Sequence, residues 1–152
     1  MGQTLAAYIL LVRDDLDDYV ASNRLLGLEE EFTDPNVDRA CDRALETFNT
    51  SPPLIGTYTF ETFPSDNLFI DMAIYALLKR STYKRGRNDL TYSESGNSIN
   101  DQNFAQYQAL KKELKEDTQA QTTRLKMALN LSKALANTNS NAGGVSSPYK
   151  DL

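Results

Sequence analysis

The chain has 152 residues, 40% hydrophobic and 24% charged, enough for one domain that buries roughly 68–70% of its unfolded surface. Its net charge of −5 and pI near 4.7 oppose whole-protein attraction to nucleic acid or an anionic membrane. A lone cysteine, Cys41, excludes an internal disulfide, and the lack of histidine removes the usual zinc, haem and catalytic-imidazole chemistries.

The first apolar run, Leu5 to Val12, is about eight residues long, whereas a membrane-spanning helix needs roughly 20. No Lys or Arg precedes it and RDDLDDY follows, unlike a signal peptide. MGQTLA has Ala6 where a myristoylation site wants Ser or Thr. The expectation is a cytosolic, unlipidated chain. From Thr4 to about Val20, Leu5, Tyr8, Ile9, Val12, Leu16 and Tyr19 recur at spacings of three and four, which predicts an amphipathic helix. Asp14, Asp15, Asp17 and Asp18 fall on its other face. DDLDD invites a calcium or magnesium reading, but the glycine turn and distal Glu of a calcium loop are missing, so a solvated helix face fits better.

Thr33-Asp34-Pro35 places a capping residue before a proline suited to a first helical turn, predicting a second helix from Pro35 to about Asn49. Val37, Cys41, Leu45 and Phe48 share one stripe of it, which makes Cys41 a small core residue rather than a nucleophile. Pro52 and Pro53 end this helix. TYTFETF then alternates threonines with large residues, as a short strand or extended segment does. Tyr58 and Phe60 are expected to pack on one face and Phe63 to staple the next helix, leaving Ile55 for a neighbour.

Ser65 or Asp66 caps a third helix, apolar from Leu68 to Leu78 apart from Asp71 and therefore central to the structure. Asp71 is read as an exposed or ion-paired structural residue. The helix runs into KRSTYKRGRND, with Lys79, Arg80, Lys84, Arg85 and Arg87 where cations complement the helix dipole and Gly86 as a plausible stop. LTYSESGNSIND suits a small hairpin or ordered loop. From Gln102 to Ala136 neither Pro nor Gly occurs, predicting a final helix roughly 50 Å long. Its seam is interrupted by Thr118 and Gln121, which argues against a sustained coiled coil. NTNSNAGGVSSPYKDL has the composition of a linker.

The expected fold is thus mainly α: a bundle of about four helices with a long C-terminal helix, a short extended or β segment and a flexible C-terminal tail. Residues 1–136 form the helical domain, and 137–152 form a tail that orders on a partner. No phosphate loop, Walker motif or serine elbow is present, no carboxylate pair stands out for acid–base work, and no cofactor or enzymatic activity is expected.

Charge is distributed unevenly. From Asp14 to Glu46 there are eleven acidic and three basic residues, while 79–87 is basic and contains Tyr83. Three readings are open for the basic cluster: pairing with an acidic surface in an assembly, a merely solvated helix end, or a phosphate-binding patch on nucleic acid. The subunit-interface candidates are Asp14, Asp15, Asp17, Asp18, Lys79, Arg80, Lys84, Arg85 and Arg87. In the tail, Val145, Pro148, Tyr149 and Leu152 are the partner-docking candidates.

An acidic helical beginning, EEEFTDPNVDRACDRALETFNTSPP, the aromatic TYTFETFP, an apolar helix ending in KRGRNDLTYSESG, a long last helix and a flexible tail follow one another. This layout resembles the small head-to-tail connector, or neck, proteins of tailed bacteriophages over roughly Leu11 to Leu135, chiefly through SPP, ETFP and RNDLTYS. The resemblance implies a non-enzymatic, mainly helical virion protein made in the host cytoplasm. It implies an adaptor subunit in a twelve-fold ring matched to the portal, in contact with a neighbouring neck or tail protein, through which DNA passes without sequence-specific binding. A stopper or tail-completion subunit is the alternative within the family; a small helical nucleic-acid-binding or regulatory module is the alternative outside it.

Overall fold

Four helices make up the regular structure of the computed structural model, which describes residues 2–19, 32–92 and 100–142, with side chains described for 2–19, 32–83 and 108–136. They are α1 (Leu5–Leu16), α2 (Asp34–Thr50), α3 (Asp66–Tyr92) and α4 (Asn100–Ala142). The mainly α, four-helix expectation holds, and no strand occurs among the described residues. No described helix is long and apolar enough to cross a membrane.

Each start follows from its cap. Thr4 Oγ1 accepts from the Ala7 amide at 3.3 Å to open α1, and Ser65 Oγ accepts from the Leu68 amide at 3.5 Å to open α3. Thr33 precedes α2 with Pro35 in the first turn, though its side chain makes no capping bond. The ends differ more from expectation. α1 stops at Leu16, four residues early, because Asp17 turns into the left-handed region at φ 49° and Asp18 bends inward. α3 runs through Gly86 to Tyr92. A helical glycine costs about 1 kcal/mol relative to alanine, and the long basic side chains around it favour helix. α4 continues past Ala136 to Ala142, just before Gly143-Gly144. The expected loop over LTYSESGNSIND is helical at both margins, and its centre, 93–99, lies outside the described residues.

α3 is the hub: α1, α2 and α4 all pack on it, and α1 also packs on α2. Met72 meets Thr122 while Lys79 shares a wall with Lys115, so α4 runs antiparallel to α3. Tyr8, Val12, Val37, Cys41, Phe48, Phe63, Leu68, Phe69 and Leu77 form the centre of the core. Tyr8, wholly buried, donates its hydroxyl to Asp66 at 2.6 Å, which ties α1 to the first turn of α3. Cys41 is buried as its spacing predicts, and burial pushes its thiol up to about 12.

Residues 51–65 are extended and then turn at 60–62 instead of forming a strand. The Pro52–Pro53 peptide is cis, and Gly56 sits at φ 149°, a backbone conformation that suits glycine. The aromatics pack as expected. Phe63 is buried between Phe48 (4.6 Å between ring centroids) and Phe69 (5.0 Å), Tyr58 lies edge-on to Phe48 at 5.4 Å, and Phe60 covers Phe69 at 5.9 Å. Asn49 holds the segment by exchanging two hydrogen bonds with the Tyr58 backbone, at 2.8 and 2.9 Å. Leu54, 76% exposed, rather than the half-buried Ile55, is the apolar side chain presented outward.

Candidate functional site

Three surfaces carry the features on which a function can rest. The first is a trough of about 770 Å³ between α2 and α4 with α3 as its floor. Arg43 on α2, Lys79 on α3 and Lys115 on α4 stand around it, and among the described residues Glu46 is the one acidic side chain in its lining. A second hollow of about 400 Å³ continues along α2 and α3, shares Arg43 and Lys79, and adds Arg39, Arg80 and Tyr83. All five cations are exposed, and no ion pair to any of them is found among the described residues. The floor is part apolar, with Met72 and Ala44 buried.

The acidic end of α1 supplies the second surface. Ala6, Leu10 and Asp14 recur at spacings of four on its outer side, with Leu11 and Asp15 beside them, all exposed. Leu10 is 60% exposed. Asp14 accepts a hydrogen bond from the Tyr19 hydroxyl. Asp17 is exposed at the helix end, but Asp18 is buried and belongs to a different construction. Arg13, also buried, reaches Asp18 Oδ2 at 3.4 Å, the Asp18 carbonyl at 3.2 Å, the Phe32 carbonyl at 3.0 Å and Asp34 Oδ1 at 2.6 Å. Asp18 Oδ2 in turn accepts from the Phe32 amide at 3.0 Å. Asp18 therefore fastens the end of α1 to the start of α2 and is not part of the exposed acidic face.

The third surface is α4. Its fully buried residues are polar, Thr118, Thr122 and Lys126 recurring every four residues, with Leu114 and Leu125 partly buried against the core beside them. Thr118 satisfies its hydroxyl on the Leu114 carbonyl at 2.7 Å, and Thr122 lies 3.9 Å from Met72 Sδ. Lys126 donates to the Ser51 carbonyl and lies 4.8 Å above the Phe48 ring, while burial lowers its pKa. Lys133, two turns on, donates to the Ile55 carbonyl. The outer face shows the reverse pattern, with Met127, Leu131 and Leu135 at spacings of four and 61, 62 and 57% exposed.

Asp71 is half-buried on α3 without a described cation beside it, so the ion-paired reading is replaced by one of partial burial. Burial first, then the carboxylates of Asp15 and Asp117, push its pKa up. No group of three potential metal ligands occurs among the described residues.

Of the interface candidates, Lys79 and Arg80 meet in the second hollow, and Asp14 and Asp15 remain together on α1 with Asp17 just past its end. Lys84, Arg85 and Arg87 lie on α3, with side chains outside the described residues; Val145, Pro148, Tyr149 and Leu152 lie wholly outside them. Sequence reasoning missed Arg39, Arg43 and Lys115. The first two are four residues apart on α2, a spacing that puts them on one helix face and was legible. Lys115 comes close only through the antiparallel packing of α4. No family model matches the chain, and no curated protein or solved structure matches it.

Proposed function

We propose that the protein is a structural adaptor of a tailed-bacteriophage neck, a non-enzymatic subunit that forms a ring beneath the portal and extends the DNA channel. The observation that carries this reading is the apolar stripe Met127, Leu131 and Leu135 on the outer face of α4. At 43 residues α4 is about 65 Å long, more than a domain of this size needs to close its core. Residues 130–136 are all exposed, held to the body through the Lys133 bond to the Ile55 carbonyl, so this stretch of the helix keeps its apolar side chains on view. Such an exposed stripe suits contact with another chain. Separated basic and acidic surfaces add the heterologous patches that a cyclic assembly uses.

The test mixes the purified protein with its portal and images the product by electron microscopy. Rings stacked on the portal are expected, and Leu131→Asp is expected to abolish them while leaving the helical circular-dichroism signal intact. A wild-type chain that never associates with a portal would overturn the proposal.

A further inference from the structure

We infer that the trough between α2 and α4 is the receptor for the outer face of α1 from a second copy of this chain. The inference rests on the ring reading and names the contact that would join neighbours.

The trough asks for a particular occupant. Arg43, Lys79 and Lys115 stand around a partly apolar lining that includes Met72 and Ala44, and Arg39 and Arg80 in the adjoining hollow extend the positive charge along α2 and α3. A matching ligand carries carboxylates and apolar side chains together. The outer face of α1 has both, with Leu10 and Leu11 a turn away from Asp14 and Asp15. The one basic residue of α1, Arg13, is turned into the subunit. These aspartates also sit at the C-terminal end of their helix, where the helix dipole is already negative, so a cationic receptor relieves an unfavourable arrangement.

No residue of α1 lines either hollow, so α1 cannot fill the trough of its own subunit from where it is packed. Donor and receptor occupy different places on one chain, and their pairing is heterologous, the geometry that builds rings. Duplex nucleic acid fits less well. It brings phosphates but no apolar side chains for the lining.

Sedimentation velocity of the chain alone, across concentration, reads this contact without the portal. Arg43→Glu with Lys79→Glu, and separately Asp14→Lys with Asp15→Lys, are each expected to weaken self-association at least tenfold. Combining all four substitutions in one chain is expected to restore it, because the charges are exchanged between the two faces; circular dichroism checks that each variant is folded. Self-association unaffected by either pair, or no rescue in the combined variant, overturns the inference. So does a wild-type chain that stays monomeric at every concentration. If Arg43→Glu with Lys79→Glu leaves assembly intact and instead abolishes salt-sensitive binding to a DNA duplex, the trough is a phosphate site and the inference is wrong. A chain that self-associates with rescue but never binds a portal would remove the adaptor reading and leave this contact standing. Portal-bound rings indifferent to the substitutions would do the opposite.

Discussion

Replacing Arg13 by methionine separates the buried half of its network from the exposed half. The substitution keeps an apolar stem in the space and removes the guanidinium of a residue 5% exposed, which touches four acceptors among the described residues. Two of those acceptors are buried carbonyls, of Asp18 and Phe32, and a third is the buried Asp18 carboxylate. A buried acceptor deprived of its donor costs about 1–3 kcal/mol, and removing one partner of a buried ion pair costs about 3–5 kcal/mol in total. The fourth acceptor, Asp34, has a side chain 76% exposed, so its arm is worth about 1 kcal/mol or less. Arg13→Met is therefore expected to lower stability by about 3–5 kcal/mol, a fall in Tm of roughly 10 °C for a chain of this size. Asp34→Ala should cost about 1 kcal/mol or less. Urea unfolding followed by circular dichroism measures both, with the slope m checking that the same surface is exposed in each variant. Equal losses in the two variants, or a loss under about 1 kcal/mol for Arg13→Met, would show that Arg13 does not join α1 to α2 in this way.

Phe63→Ala should cost about 3–5 kcal/mol in the same assay, since the ring is buried between Phe48 and Phe69; a loss below about 1 kcal/mol would contradict that packing. Asp71→Asn should be more stable than the wild type at neutral pH. Burial raises the folded-state pKa of Asp71 above its ordinary 3.8, so the native state binds the proton more tightly and ionised Asp71 is a liability. That liability is present above the folded pKa and fades as pH falls from there toward 3.8, so the stability gap between the two proteins should close over that window. A gap that widens toward acid would refute the assignment.

Fold class was legible because apolar spacing of three and four, proline placement and the Ser65 cap all act locally. α1, α2 and the start of α3 follow from them. Where structure and sequence part, the cause is shared: a residue's type does not fix its environment. Thr118 does interrupt the apolar seam, but a threonine that bonds its own preceding turn is free to be buried, and Lys126 can bury its stem while its amine finds a carbonyl. Gly86 looked like a stop, but its flanks tolerate it. Asp18 reads as one more solvated acid of DDLDD because one of its partners, the Phe32 amide, lies across a gap in sequence and the other, Arg13, is turned inward only by the packing of α1 on α2. The two hollows are half legible in Arg39 and Arg43; the α4 wall of the trough depends on how α4 packs, which composition does not encode.

The two lysines that hold α4 to residues 51–55 grip backbone carbonyls, of Ser51 and Ile55, rather than side chains. Every amino acid supplies a carbonyl, so these two bonds place no demand on which residues occupy the strap. They demand its length. Removing one residue between Pro52 and Leu54 would pull the second anchor about 3.3 Å along the chain, out of step with the two-turn interval from Lys126 to Lys133. The bearing of this helix is in this sense a matter of counting: the two anchors are indifferent to the side chains at Ser51 and Ile55 and intolerant of a deletion between them.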